Sequence, residues 1–185
     1  SPQTLDQCGS SCPMALRLAN RTELGVMIQK GHDSAWREQE MGNYTSKQLG
    51  DACEMLVAAE ITLAGVPTLK VPDNWPHYDL IAQRPESANP LRISVKARTY
   101  KKNGGHFVTY KVTDQFDWLA IVLLECDGEE KRQVFLVPKE ESDKRARKDG
   151  PNAKKAEHYY VINEVGKKLP EYKNNFSLNV NPSGP

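Results

Sequence analysis

This chain of 185 residues contains no apolar run approaching the roughly 18 to 20 residues that a membrane-spanning helix requires, so a helical membrane span is excluded. It has little cysteine: Cys8, Cys12, Cys53 and Cys126 are too few and too scattered to staple a chain of this length. A reducing, cytoplasmic setting is expected. Cys8 and Cys12 form a C-x3-C pair, but no second Cys/His pair follows at zinc-ligand spacing, and they are read as N-terminal thiols. An excess of charge of one sign is also missing, since 25 Lys and Arg face 24 Asp and Glu for a net charge of +1. Any electrostatic attraction to a nucleic acid must therefore be local. No basic region followed by an apolar one opens the chain, and no signal peptide is expected.

What is present is ordinary globular composition, 38% hydrophobic and 26% charged, enough for one sizeable core. Two segments are expected: an N-terminal helical extension over 1–41 with a flexible start, and an α/β domain over 42–185. Thr45 or Ser46 can cap a helix running to about Ala64, with Leu49, Cys53, Leu56 and Leu63 at helical spacing and Gly65 as its stop. Strand-like runs follow at 78–82, 91–97 and 106–112, the last two joined through Asn103-Gly104-Gly105, a spacing that predicts an antiparallel meander. WLAIVLL at 118–124 is apolar without alternation, as in a strand buried on both faces, with RQVFLVP at 132–138 as its hairpin partner. Helices must then cover both sides of the sheet. YYVI at 159–162 is another strand-like run, and Asn163 can cap a final helix ending near Pro170 or Tyr172. The expected fold is a central mixed sheet of four to six strands flanked by helices.

Alternation along 91–98 puts Arg92, Ser94, Lys96 and Arg98 on one face and Leu91, Ile93, Val95 and Ala97 on the other. A neighbouring antiparallel strand can then present Asp79 beside Ser94 and Lys96. A carboxylate facing an ammonium is one way for a hydrolase to set a cation site beside a positive stabiliser. No acidic residue occurs between Ser87 and Thr113, while Arg92, Lys96, Arg98, Lys101, Lys102 and Lys111 do, which makes a locally basic surface suited to a phosphate backbone.

Glu54 on the long helix, YDLIA with Asp79, and ISVKAR with Ser94, Val95 and Lys96 stand in an order that resembles the PD-(D/E)XK nucleases, which include restriction enzymes and Holliday-junction resolvases. The resemblance covers about residues 47–138. It implies a restriction-endonuclease-like core and a metal-dependent endonuclease, acting on DNA first and RNA second, with Mg²⁺ or Mn²⁺ as cofactor. Asp79, Glu54 and the Val95 carbonyl would hold the ion, and Lys96 would manage the attacking water or the charge growing on the phosphate. A homodimer stays open. Ser94 departs from the pattern, which has an acidic residue there. Either Glu54 supplies the missing carboxylate, or Ser94 binds a water of the ion, or the site is degenerate and the domain binds nucleic acid or protein without cutting.

Several neighbouring residues have plainer readings. Asp73, in a literal Pro-Asp pair, has no apolar strand after it, which favours Asp79. His77 and His106 are loop histidines near the motif, Trp75 and Tyr110 can stack on bases, and Trp118 opens the most apolar strand as a core residue. Lys144, Arg145, Arg147 and Lys148 form a second basic cluster, read equally as a solvated charged loop.

Overall fold

The computed structural model describes residues 44–100, 106–126, 129–150 and 156–182. The expected extension over 1–41, Cys8 and Cys12 lie outside the described residues, as do Lys101, Lys102 and the Asn103-Gly104-Gly105 turn.

Helix α1 (Ser46–Leu63) starts from a reciprocal cap, in which the Thr45 hydroxyl accepts from Gln48 N and the Gln48 side chain accepts from Thr45 N. It stops at Ala64, where Gly65 takes the left-handed conformation that a side chain would oppose (φ 92°). Its buried stripe is Cys53, Val57 and Ile61 with Leu49 and Leu56 packed beside it; of the expected set only Leu63 falls outside, being 84% exposed.

Eight strands are described: β1 (Thr68–Lys70), β2 (Leu80–Ala82), β3 (Leu91–Thr99), β4 (Phe107–Lys111), β5 (Trp118–Leu124), β6 (Arg132–Pro138), β7 (Arg147–Lys148) and β8 (Glu157–Val161). The main sheet runs β1-β2-β3-β5-β6, with β3 and β5 parallel and the other pairs antiparallel, so it is mixed as expected. The expected meander through 106–112 does not form. β5 takes one edge of β3 from Ile93 to Thr99 and β2 takes the other only as far as Ile93, while β4 pairs with β8 in a second sheet, β4-β8-β7.

β5 is buried along nearly its whole length because its alternate residues feed two cores. Trp118, Ala120 and Val122 meet Cys53, Val57 and Ile61 of α1, together with Ile93 and Val95. Leu119, Ile121 and Leu123 meet Val108, Tyr110, Tyr160, Val165 and Leu169. The second face is thus covered mainly by a sheet and not by helices alone. The polar atoms of that sheet are tied down by α2 (Lys139–Arg145), where Asp143 accepts from Tyr110, Lys139 and His158 and where Ser142 bonds Tyr110 and Tyr160. Asn163 falls inside a 3₁₀ turn, and Glu164, with no side-chain capping bond, precedes the short α3 (Val165–Lys168). No helix among the described residues is long and apolar enough to cross a membrane.

Arg92 begins the polar face of β3, and Asp117 immediately precedes β5; their pairing locks the parallel register. Arg92 donates to Asp117 from its backbone N (2.8 Å), Nε (3.0 Å) and Nη2 (2.9 Å). Burial works to raise the Asp117 pKa, but these bonds and the guanidinium charge outweigh it and the net shift is downward. A carboxylate so lowered adds stability above its unfolded pKa of about 3.9 and loses it as pH falls through the lower folded value. Asp117→Asn is therefore expected to be less stable at pH 7 and to lose less of its stability on acidification below about pH 4 than the parent. Urea melts across that range check this; parallel curves would remove Asp117 from the acid transition.

Candidate active site

β2 begins at Leu80, so its pairing with β3 ends at Leu80 and Ile93, and among the described residues no strand pairs with that edge of β3 beyond Ile93. Asp79, the residue before β2, spans the gap. Its backbone N donates to Ile93 O (2.9 Å), and its carboxylate takes the place of the lost strand, accepting from Val95 N (2.6 Å) and from the Ser94 hydroxyl (3.3 Å). N–H and C=O of one strand residue point the same way, so the turn of Val95 that aims its N–H at Asp79 aims its carbonyl at the same open edge.

Three further side chains surround this edge. Glu54 reaches it from α1, on the side of Ile93 and Val95, and Lys96 and Arg98 reach it from β3. A cleft of about 530 Å³ is lined by Glu54, Asp79, Val95, Lys96, Arg98 and Thr109 among others, so the expected Asp79, Glu54, Val95 and Lys96 come together. Ser94 lies beside them at 1% exposure, hydrogen-bonded to Asp79 and not on a solvated face. Among the described residues no carboxylate pairs with Lys96.

Burial, and behind it the charge of Asp79, raises the Glu54 pKa against the opposing pull of Lys70 (3.0 Å). Two carboxylates that work against each other at an open edge, with a backbone carbonyl beside them, form a hard-oxygen donor set of the kind Mg²⁺ or Mn²⁺ takes while keeping several waters. Among the described residues no group of three or more His, Cys, Asp or Glu is placed to hold a metal ion, so a cation here would rest on the two carboxylates, the carbonyl and water.

The remaining candidates are placed as follows. Arg92 is engaged by Asp117. Arg98 donates to Phe107 O (3.0 Å) and Ala97 O (2.8 Å), and Lys111 is exposed on β4. His77 sits 3.5 Å from Asp114, His106 is exposed, Tyr110 and Trp118 are core residues, and Trp75 is 49% exposed. In the second basic cluster Lys144 pairs with Glu141, Arg145 with Glu141 and Glu171, and Arg147 with Glu164, so three of its four charges are answered within the fold.

The structure also adds residues that the sequence did not single out. A second cleft, of about 260 Å³, shares Gly50, Glu54 and Asp79 with the first. In it Lys70 meets Asp51 (2.7 Å), Glu54 and Asp73 (3.5 Å), and Lys47 meets Asp51 (2.9 Å) and Asp73 (2.7 Å). The signal was the i, i+3 spacing of Asp51 and Glu54; it was obscured because β1, which carries Lys70, is too short to show a strand period.

No family model matches the chain, and no curated protein matches it. Among solved structures, it is similar to a bacterial homing endonuclease, I-Ssp6803I, at 18% identity over 74% of this chain and 91% of that one (TM-score 0.49). It is also similar to Hjc of Archaeoglobus fulgidus, a Holliday junction resolvase, at 12% identity over 63% and 90% (TM-score 0.39).

Proposed function

We propose that this chain is a metal-dependent endonuclease acting on DNA. The observation that carries the reading is the end of β2 at Leu80, beyond which the Asp79 carboxylate bonds Val95 N on the uncovered edge of β3 and lines one cleft with Glu54, Val95 and Lys96. Asp79, Glu54 and the Val95 carbonyl would hold Mg²⁺ or Mn²⁺. When bound there, the ion supplies positive charge to polarise the phosphate and to acidify a water.

The chain's own residues do the rest. Asp79 is fixed by its two hydrogen bonds, so its remaining lone pairs stay aimed at the edge without reorganisation. Lys96 brings an ammonium to the place where charge grows on the phosphate, or holds the attacking water by donating to it. Arg98, Lys101, Lys102 and Lys111 would track the phosphates beyond, whereas the Arg92 charge is spent on Asp117.

Plasmid nicking or cutting with Mg²⁺ or Mn²⁺ tests the reading. A protein inert with both metals on duplex, branched and single-stranded DNA and on RNA would instead be a nuclease-fold module that binds without cutting, the reading that the buried Ser94 favours. Glu54 has its own test. Glu54→Gln removes one oxygen charge from the donor set and is expected to weaken Mn²⁺ binding about tenfold or more by calorimetry. Unchanged affinity would return Glu54 to a structural role with Lys70.

A further inference from the structure

We propose that Trp75 positions the substrate of this same groove, its indole stacking on a base of a single DNA strand next to the phosphate to be cut. The proposal rests on the nuclease reading above and adds to it the form of the substrate. Trp75 lines the smaller cleft, and Asp79 and Glu54 line both clefts, so the indole and the Lys96 end are two ends of one groove that meet at the carboxylates.

Charge assigns the ends. The Trp75 end holds Lys47 and Lys70 against Asp51, Glu54, Asp73 and Asp79, two cations against four carboxylates, which disfavours a phosphate. The other end holds Lys96 and Arg98 against Glu54 and Asp79, two against two. An uncharged base at the indole and a phosphate at Lys96 and Arg98 satisfy both.

The loop that carries Trp75 is built to hold it out. Pro76 restricts Trp75 to extended backbone, Trp75 N closes a turn onto Pro72 O (3.2 Å), and Asn74 (φ 64°) and His77 (φ 75°) on either side both take the left-handed conformation. Tyr78 braces the indole at 6.3 Å between ring centres, tilted by 60°. So strained a loop spent on exposing an indole makes sense as a preformed platform, which loses little freedom when it binds. An indole lies flat only on an open base face, and in a duplex the neighbouring base covers that face. The target strand is therefore unpaired or locally opened at this base.

The test measures binding alone, with wild-type protein in EDTA. Fluorescence anisotropy compares a labelled oligothymidylate with a strand of abasic sugars of equal length and charge. Wild type is expected to bind the base-bearing strand about tenfold tighter, the size of one base–aromatic stack. Trp75→Ala is expected to erase that ratio while leaving the abasic strand's affinity unchanged, and Trp75→Phe to keep most of it. Thermal melts confirm that the variants are folded. If both strands bind but Trp75→Ala leaves the ratio intact, or wild type shows no ratio, Trp75 has no such role and the nuclease reading stands. If neither strand binds at low salt, the stacking role of Trp75 falls, and the nuclease reading is decided separately by the cleavage assays on duplex and branched DNA.

Discussion

Lys96→Ala is expected to lower the rate of plasmid cleavage by at least about a hundredfold, the usual contribution of a positioned proton-transfer or charge-stabilising group. Its melting temperature should not move, because among the described residues no carboxylate depends on this ammonium. Asp79 is expected to behave differently. Its carboxylate accepts from Val95 N and the Ser94 hydroxyl, so Asp79→Ala should cost both activity and about 1 to 3 kcal/mol of stability by leaving a buried donor without a partner. Asp79→Asn keeps an acceptor oxygen and removes the charge, so it should lose activity as completely with a smaller loss of stability. Cleavage assays and urea melts on the same preparations separate the two effects. Full activity in Lys96→Ala would move the chemistry away from this edge.

Ser94→Glu, which restores the acidic residue of the nuclease pattern, is expected to destabilise the metal-free protein by about 3 to 5 kcal/mol. Ser94 is 1% exposed and hydrogen-bonded to Asp79, so a carboxylate there is buried beside a like charge. For a domain of this size that corresponds to a drop of about 10 °C in melting temperature. If the edge is a cation site, Mg²⁺ or Mn²⁺ stabilises the variant, by about 2.7 kcal/mol at a hundred times its Kd, and stabilises the parent less at the same concentration, since the new charge is neutralised only in the bound state. Melting temperatures that ignore both metals in parent and variant would show that no cation binds among these residues.

The long helix was legible because a cap and a stop sit at its two ends, Thr45 or Ser46 and Gly65, and both are local devices; the structure chose Thr45 and added Gln48 as its reciprocal partner. The central strand was legible from WLAIVLL, whose lack of alternation has one physical cause, burial on both faces. The buried stripe of α1 was misjudged at Leu63, since periodicity gives a spacing and not the direction in which the partner lies.

Asp79, Ser94, Val95 and Lys96 were legible as neighbours because strand period and chain order are sequence properties. Only the tertiary structure decided that β4 pairs with β8 and not with β3, that a second sheet covers one face, and that Lys70 and Asp51 line a cleft beside Glu54 and Asp79, since each depends on which distant segments pack together. Ser94 divides the two levels. The sequence by itself determined its place two residues before Lys96 on one face of a strand, while its burial follows from β5 on one side and Asp79 on the other, contacts between segments far apart in the chain that no local pattern encodes.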